Sequence, residues 1–186
     1  MITQDSHPEY KYPTASLLWS LALPGFGQFY NGQILLGTIL LFTELLANIL
    51  SGLNLSIFET FHGNFKNSHD VMNYQWGMFY PSIWGFSMWQ AYNYAIAGNQ
   101  QIKGKRSKAY LTGFFFGGVV GMNFGIYWHV SFLYSLKLFH FLESPICLGL
   151  ILGIVCAFLG HWFEKTLHRI LLAHRVETAE KGSNFN

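Results

Sequence analysis

Ser16-Leu17-Leu18-Trp19-Ser20-Leu21-Ala22-Leu23-Pro24-Gly25-Phe26-Gly27-Gln28-Phe29-Tyr30-Asn31-Gly32-Gln33, running directly into the apolar stretch Ile34 to Leu50, decides how this chain is read. A Pro-Gly-x-Gly break ends the first apolar run, and backbone groups released from a helix cannot be left in hydrocarbon. Pro24, Gly25 and Gly27 are therefore expected at an interface or against protein. At about 1.5 Å of rise per residue, Ala15 to Leu23 is too short to cross roughly 30 Å of hydrocarbon. A re-entrant or interfacial hairpin is expected, with a fifth span running through Tyr30 as the alternative. Phe29 and Tyr30 suit the headgroup layer, where aromatic rings have one apolar and one wet side.

Outward from this stretch, composition points the same way. Charged residues are 11% of the 186, against roughly 25% in soluble domains, and they lie almost entirely between apolar runs. The expected class is an all-α, polytopic integral membrane protein forming one domain. It divides into a polar tail (1–13), the hairpin (14–53), a polar loop (54–73), further spans at 74–97, 110–135 and 145–163, and a tail (164–186). Pro81 is expected to kink or start its helix, and Ser144-Pro145 to start the last one. A cleaved leader over residues 1–22 is disfavoured, because the one Lys lies beside Asp5 and Glu9 and the short apolar run leads into the Pro-Gly break.

Basic residues set the expected orientation. Lys103, Lys105, Arg106 and Lys108 share one loop, and Lys165, Arg169, Arg175 and Lys181 share the tail. The 98–109 loop and the C-terminus are thus expected on the cytoplasmic side of the cytoplasmic membrane. A net charge of +2 argues against a nucleic-acid partner. The expected partners are the lipid bilayer and either another membrane protein or a second copy of the chain. Cys147 and Cys156 are nine residues apart, on opposite faces of one helix, and cannot pair with each other there.

The hairpin stretch resembles the first half of the TM2 domain family through Gly25, Gly27, Phe29, Tyr30, Gly32 and Gly37. The resemblance covers roughly residues 15–50. The chain is more similar still to bacterial membrane proteins carrying Leu-Pro-Gly-x-Gly-Gln-x-Tyr, here Leu23 to Tyr30 with Gln28 as the amide. In that group a later helix often ends in Trp-Asp-Ala-Tyr. This chain has Trp89-Gln90-Ala91-Tyr92, with an amide in place of the acid, and more hydrophobic segments than the two-helix TM2 plan. The resemblance implies a bacterial source and a membrane location, and brings no assigned activity.

Gly113, Gly117, Gly121 and Gly125 recur every four residues, and Gly149, Gly153 and Ala157 follow the same spacing. Such stripes let backbones approach closely. Packing between these two helices is the favoured reading, with contact between copies or a pore as alternatives. Glu44 sits inside an apolar helix, where an acidic residue is costly. Asn48 and Ser51 extend its face, and Gln90 and Asn93 offer a polar patch on another span. An ion or proton site is the functional reading, and a neutral, hydrogen-bonded Glu joining helices is the favoured one.

His161, Glu164 and His168 gather on one helix face, but lack the tight His-Glu-x-x-His spacing of zinc proteases. Local Glu-His pairing is favoured there over a metal. His129 and His140 are expected near the outer side, with a proton-linked role as the alternative. No cofactor motif and no Ser-His-Asp context can be assembled. The sequence leads to a non-enzymatic accessory or scaffold protein, with a small transporter or channel subunit around Glu44 as one alternative and a metal-dependent membrane enzyme as another.

Overall fold

The computed structural model describes residues 10–133 and 140–183, with side chains for 10–128 and 140–173. It is all-helical: α1 (Pro13–Ala22), α2 (Phe26–Tyr30), α3 (Ile34–Ser51), α4 (Leu53–Phe61), α5 (Phe65–Asp70), α6 (Tyr74–Gly77), α7 (Phe79–Ile102), α8 (Thr112–Leu133) and α9 (Pro145–Ser183), with a short 3-10 turn at His140–Glu143. The N-terminal tail over residues 1–9, Lys137 and the His129, His174, Arg175 and Lys181 side chains lie outside the described residues.

The described residues begin at one end of the molecule. Lys11 lies against Asn99 near the close of α7, and α1 then runs antiparallel to α7 until Leu21 O accepts from Trp84 Nε1 at 3.0 Å. Direction reverses at Gly25, whose φ of 99° is left-handed and therefore suits glycine. α2 heads back toward the starting end, Gly32 (φ 81°) turns the chain again, and α3 runs to the far end, where Ser51 O accepts from Asn73 N at 2.8 Å. The segment is thus a broken helix whose short second arm folds back along the first. α7 leads back to the starting end, α8 goes out alongside it, and α9 returns against α8.

Three boundaries depart from expectation. Residues 54–73, expected as a polar loop, hold α4 and α5. The left-handed Gly52 (φ 67°) bends the chain, Asn48 Oδ1 accepts from Asn54 N and Ser51 Oγ from Leu53 N, so the new helix starts with its amides paired. Behind it Ser56, Thr60, Ser68 and Ser144 close a hydroxyl cluster at 2.7–3.4 Å. The 74–97 segment is a one-turn α6 followed by α7, with Pro81 in its first turn, where the missing N–H costs nothing. α7 also continues through Gly98 to Ile102, and α9 continues past residue 163 to Ser183.

Apolar side chains such as Leu40, Leu53, Met88, Phe115 and Leu148 are buried, but the most deeply buried groups and the outer surface differ from those of a water-soluble fold. The largest fully buried side chains are Gln28, Pro24, Pro81, Pro145 and serines such as Ser16, Ser20, Ser51, Ser87 and Ser144. Leu35, Phe42, Ile49, Phe116, Ile154 and Phe158 face outward, Ile49 at 77% exposure. Among the described residues, two stretches, Ile34–Ser51 and Pro145–Ala173, are long and apolar enough to cross a membrane. α7 and α8 match them in length, and in α7 the Trp, Tyr, Asn and Gln side chains lower the mean hydropathy.

α8 and α9 make the most extensive helix contact, through glycine. A Cβ on Gly113 would strike Gly160 O, one on Gly117 would strike Cys156 O, and one on Gly121 would strike Leu152 O. At Gly125 it would stand 2.5 Å from Gly149 Cα. Gly153 and Ala157 lie beside this line, against Met122 and Gly118. The stripe's partner is therefore α9 of the same chain. Gly121→Ala should lower stability by about 1–3 kcal/mol, the usual cost of overpacking a filled contact. Gly98→Ala, on an open helix face, should be neutral or mildly stabilising. Thermal unfolding in detergent compares the two.

Candidate functional site

Where α1, α2 and α7 meet, the break is held by side-chain amides and hydroxyls. Gln28 is fully buried. Its Nε2 donates to Ser87 O at 2.9 Å and to Gln90 Oε1 at 2.8 Å. Its Oε1 accepts from Ser87 Oγ at 3.1 Å and from Ser20 Oγ at 3.3 Å. Gln90 Nε2 passes the chain on to Gln33 Oε1 at 3.1 Å.

The same elements are tied through the backbone, at Gly25 in the break and at Ala91 within α7. Gly25 N donates to Ser87 Oγ at 3.1 Å, and Ser16 Oγ and Asn31 Nδ2 both donate to Ala91 O, at 3.0 and 2.8 Å. Gly25, Gly27 and Gly37 have a steric reason as well, whereas Gly32 stands in open space and is required by its φ alone. A Cβ on Gly27 would strike Ser16 O and Ser20 Oγ, one on Gly25 would strike Gly37 O, and one on Gly37 would lie 2.6 Å from the Phe29 ring. Pro24 is buried, and Tyr30 Oη accepts from Tyr12 N at 3.3 Å. Phe29 and Tyr30 thus serve internal contacts.

Two asparagines of α7 clamp neighbouring backbone in a two-point fashion. Asn93 accepts from Tyr110 N at 2.6 Å and donates to Tyr110 O at 3.0 Å, just before the left-handed Leu111 (φ 58°). Asn99 accepts from Lys11 N at 3.0 Å and donates to Lys11 O at 2.6 Å. The expected patch of Glu44, Asn48, Gln90 and Asn93 does not assemble: Gln90 belongs to the Gln28 network, Asn93 to the start of α8, and Asn48 to the bend at Gly52. The reason is that α3 and α7 run antiparallel with Gln33 beside Gln90, which sets Glu44 further along, near Tyr80. Glu44 is 2% exposed; its Oε1 meets Asn48 Nδ2 at 3.5 Å and its Oε2 has no hydrogen-bond partner.

The expected Glu-His pairing on α9 is replaced by a different contact. Glu164 Oε2 accepts from Gly113 N at 2.9 Å, at the first turn of α8, where amides lack helical acceptors. Among the described residues, no three His, Cys, Asp or Glu side chains gather as a metal site. His140 Nδ1 meets Glu143 Oε1 at 3.1 Å on the opposite end. Also at that end, the Lys66 ammonium at 2.8 Å from Asp70 holds its carboxyl below the usual range. Reading from sequence missed the roles of Ser16, Ser20, Ser87, Asn99 and Gly160. A serine at every fourth position of α1 was the available signal.

Compared with protein-family models, curated proteins and solved structures, the chain matches none, so its function is argued from its own residues.

Gln28→Leu keeps the volume and removes four hydrogen bonds. With buried bonds in membrane interiors worth about 0.6 kcal/mol each, up to about 1.7, the variant should lose roughly 2–4 kcal/mol. Gln90→Leu should lose less, because Ser87 and Ser20 still hold the Gln28 amide. Unfolding in mixed detergent–SDS micelles reads both.

Proposed function

We propose that this chain is a bacterial polytopic membrane protein with four spans (α3, α7, α8 and α9) and a re-entrant hairpin, acting as a non-enzymatic accessory or scaffold. The observation that carries this reading is the broad outer belt of leucine, isoleucine and phenylalanine, with serines and Gln28 among the most deeply buried side chains. In water such a surface would aggregate; in lipid it is the expected one, since buried polar groups must be satisfied internally. Glycine and aromatic residues in α7 and α8 depress hydropathy and are frequent in membrane helices. At about 1.5 Å per residue the two helices reach some 33–36 Å, enough to span.

Charge supports an orientation. Lys11, Lys103, Lys105, Arg106, Lys108, Lys165 and Arg169 belong with Glu164 to one end, and Lys66, Glu59, Asp70 and Glu143 to the other. That asymmetry favours the basic end as cytoplasmic. The scaffold reading draws its support from how the interior is used. Gln28, Gln90, Asn93 and Asn99 are spent on architecture, and the glycine stripe on α9. What is left for partners is the apolar belt and the basic face.

In a chain lacking Cys147 and Cys156, Tyr10→Cys and Ser107→Cys should react with a membrane-impermeant maleimide only after permeabilisation, whereas Asn64→Cys should react in intact cells. A Tyr10 position labelled from outside would replace the hairpin by a fifth span. For the scaffold reading, a photocrosslinker at Ser107 should capture one reproducible heteromeric partner that the same probe at Asn64 does not.

The unpartnered Glu44 Oε2 favours a second reading, a small transporter or channel subunit. In that case Glu44→Gln abolishes a proton- or ion-coupled flux in proteoliposomes. Flux that survives the change, or is never seen, removes this reading.

A further inference from the structure

Three hydrogen bonds set the starts of α3 and α8 and the Glu164 turn of α9 at one level of the molecule. Gln33, just before α3, accepts from Gln90 Nε2 at 3.1 Å, and Thr112 Oγ1, at the start of α8, accepts from the neighbouring Trp89 Nε1 at 3.2 Å. Glu164 Oε2 accepts from Gly113 N at 2.9 Å. α9 does not stop at this level. Its apolar stretch Pro145–Ala173 has 29 residues, about 43 Å at 1.5 Å per residue, against roughly 30 Å of hydrocarbon. Tilt alone would need about 45° to absorb the difference, beyond the range of up to about 40° found for membrane helices. The turns after Glu164 therefore overhang the level at which α3 and α8 begin.

The side of α9 that packs on α8 carries on into this overhang. Gly153, Gly160 and Glu164 lie on it, against Gly118 and Gly113. Leu167 and Leu171 follow Glu164 at spacings of three and then four residues, so they stay on the same side of the helix. α8 no longer runs beside them, and Leu167 is 46% exposed and Leu171 54%. What precedes α8 in the chain is the strap from Lys103 to Tyr110, exposed throughout and pinned at both ends. Lys105 N donates to Gln100 O at 2.9 Å, and Tyr110 is held by both amide atoms of Asn93. Running from the end of α7 back to the start of α8, the strap covers the same levels as the overhang. Among the described residues, no carboxylate pairs with Lys105, Arg106 or Lys108, and the described acid at this end, Glu164, is engaged by Gly113 N.

An apolar helix side that continues an established contact line, at the level of unpaired cations, calls for a cover that is apolar on one side and acidic on the other. We propose that the overhang of α9 docks an acidic amphipathic helix of a partner protein. That helix takes the place beyond the end of α8, with its apolar side on Leu167 and Leu171 and its carboxylates toward Lys105, Arg106 and Lys108. A second copy of this chain would bring the cations of two straps together, and lipid lies on the other side of the level from which the overhang rises. This inference rests on the membrane and scaffold readings of the preceding section and names the chemistry of the partner.

The test is fluorescence anisotropy of a labelled peptide on the full chain held in phosphatidylcholine nanodiscs. The probe is a helical peptide of about 18 residues, five turns long, with leucine along one side and glutamate on the other. One control replaces glutamate by lysine, and a second keeps the composition but scatters the leucines around the helix. Saturable binding of the probe is expected, with the lysine peptide silent and the scattered peptide at least tenfold weaker. Leu167→Gln and Leu171→Gln should each weaken the probe about tenfold, the value of one buried leucine side chain. Arg106→Gln and Lys108→Gln should each weaken it about two- to fivefold, as exposed ion pairs do. All four positions are exposed, and unchanged melting temperatures check that the variants fold.

Absence of probe binding, equal binding of the scattered peptide, or affinity that survives both leucine changes overturns the proposal. So does efficient crosslinking between two copies through Leu171→Cys in a chain lacking Cys147 and Cys156, which gives the surface to a second copy. Failure of the scaffold reading alone has a different signature: the probe binds the purified chain as expected, and the photocrosslinker at Ser107 captures no heteromeric partner in cells.

Discussion

The Gln28 amide, clamped between Ser87 and Gln90 of α7, is the interaction on which the rest of this structure depends. A helix that stops at Ala22 and restarts at Phe26 leaves N–H and C=O groups that lipid cannot serve. Gln28 solves this by tying the returning arm to α7, while Ser87 Oγ takes the Gly25 N–H and Ala91 O collects Ser16 and Asn31. The glycines are required by the same geometry. Gly27 lets α2 lie on α1 without a Cβ against Ser16 O, and Gly25 brings the turn up to Gly37 of α3. Four helices therefore meet around one amide, and the hairpin cannot rotate or slide without breaking it.

α7 is then the mast of the fold. Along one helix, Trp84 serves the end of α1, Ser87 and Gln90 the hairpin, Asn93 the start of α8, and Asn99 the start of the chain. A helix with this many polar side chains reads as weakly hydrophobic, and the reason is now physical: its polarity is consumed by neighbours. α8 and α9 use the other means available in lipid, close backbone approach through glycine. The chain thus has a hydrogen-bonded half and a glycine-packed half. They are joined mainly through α7 and α8, with the serine-threonine cluster under Ser144 closing one end.

Much of this was legible in the sequence wherever the signal is local and periodic. The Pro-Gly-x-Gly break, the glycine spacing and the Ser144-Pro145 start are such signals. What could not be read is the pairing across long separations. Gln28 and Gln90 stand 62 residues apart, and an amide that replaces an acid in Trp89-Gln90-Ala91-Tyr92 looks like a loss until its partner is known to be another amide. Helices α4 and α5 were hidden by their polar composition. They form because Gly52 redirects the chain and because Ser56, Thr60 and Ser68 satisfy one another, a tertiary effect that overrides a loop-like sequence. Gly160 was missed because the expected stripe stopped at Ala157, whereas the α8–α9 contact line runs one turn further.

Glu44 is the residue this logic leaves over. Asn48, its one hydrogen-bonding neighbour, is already tied through Oδ1 to the bend at Gly52, and Ser51 is tied there too. A structural glutamate joining helices would be expected to reach α7, as Gln28 does, yet its Oε2 ends without a donor. The fold could have placed an apolar residue at this position at no loss of hydrogen bonding beyond one 3.5 Å contact. A buried carboxyl that the architecture does not use is either kept neutral or matched by something outside the protein. The hairpin and the glycine seam are explained by folding alone, and Glu44 is not.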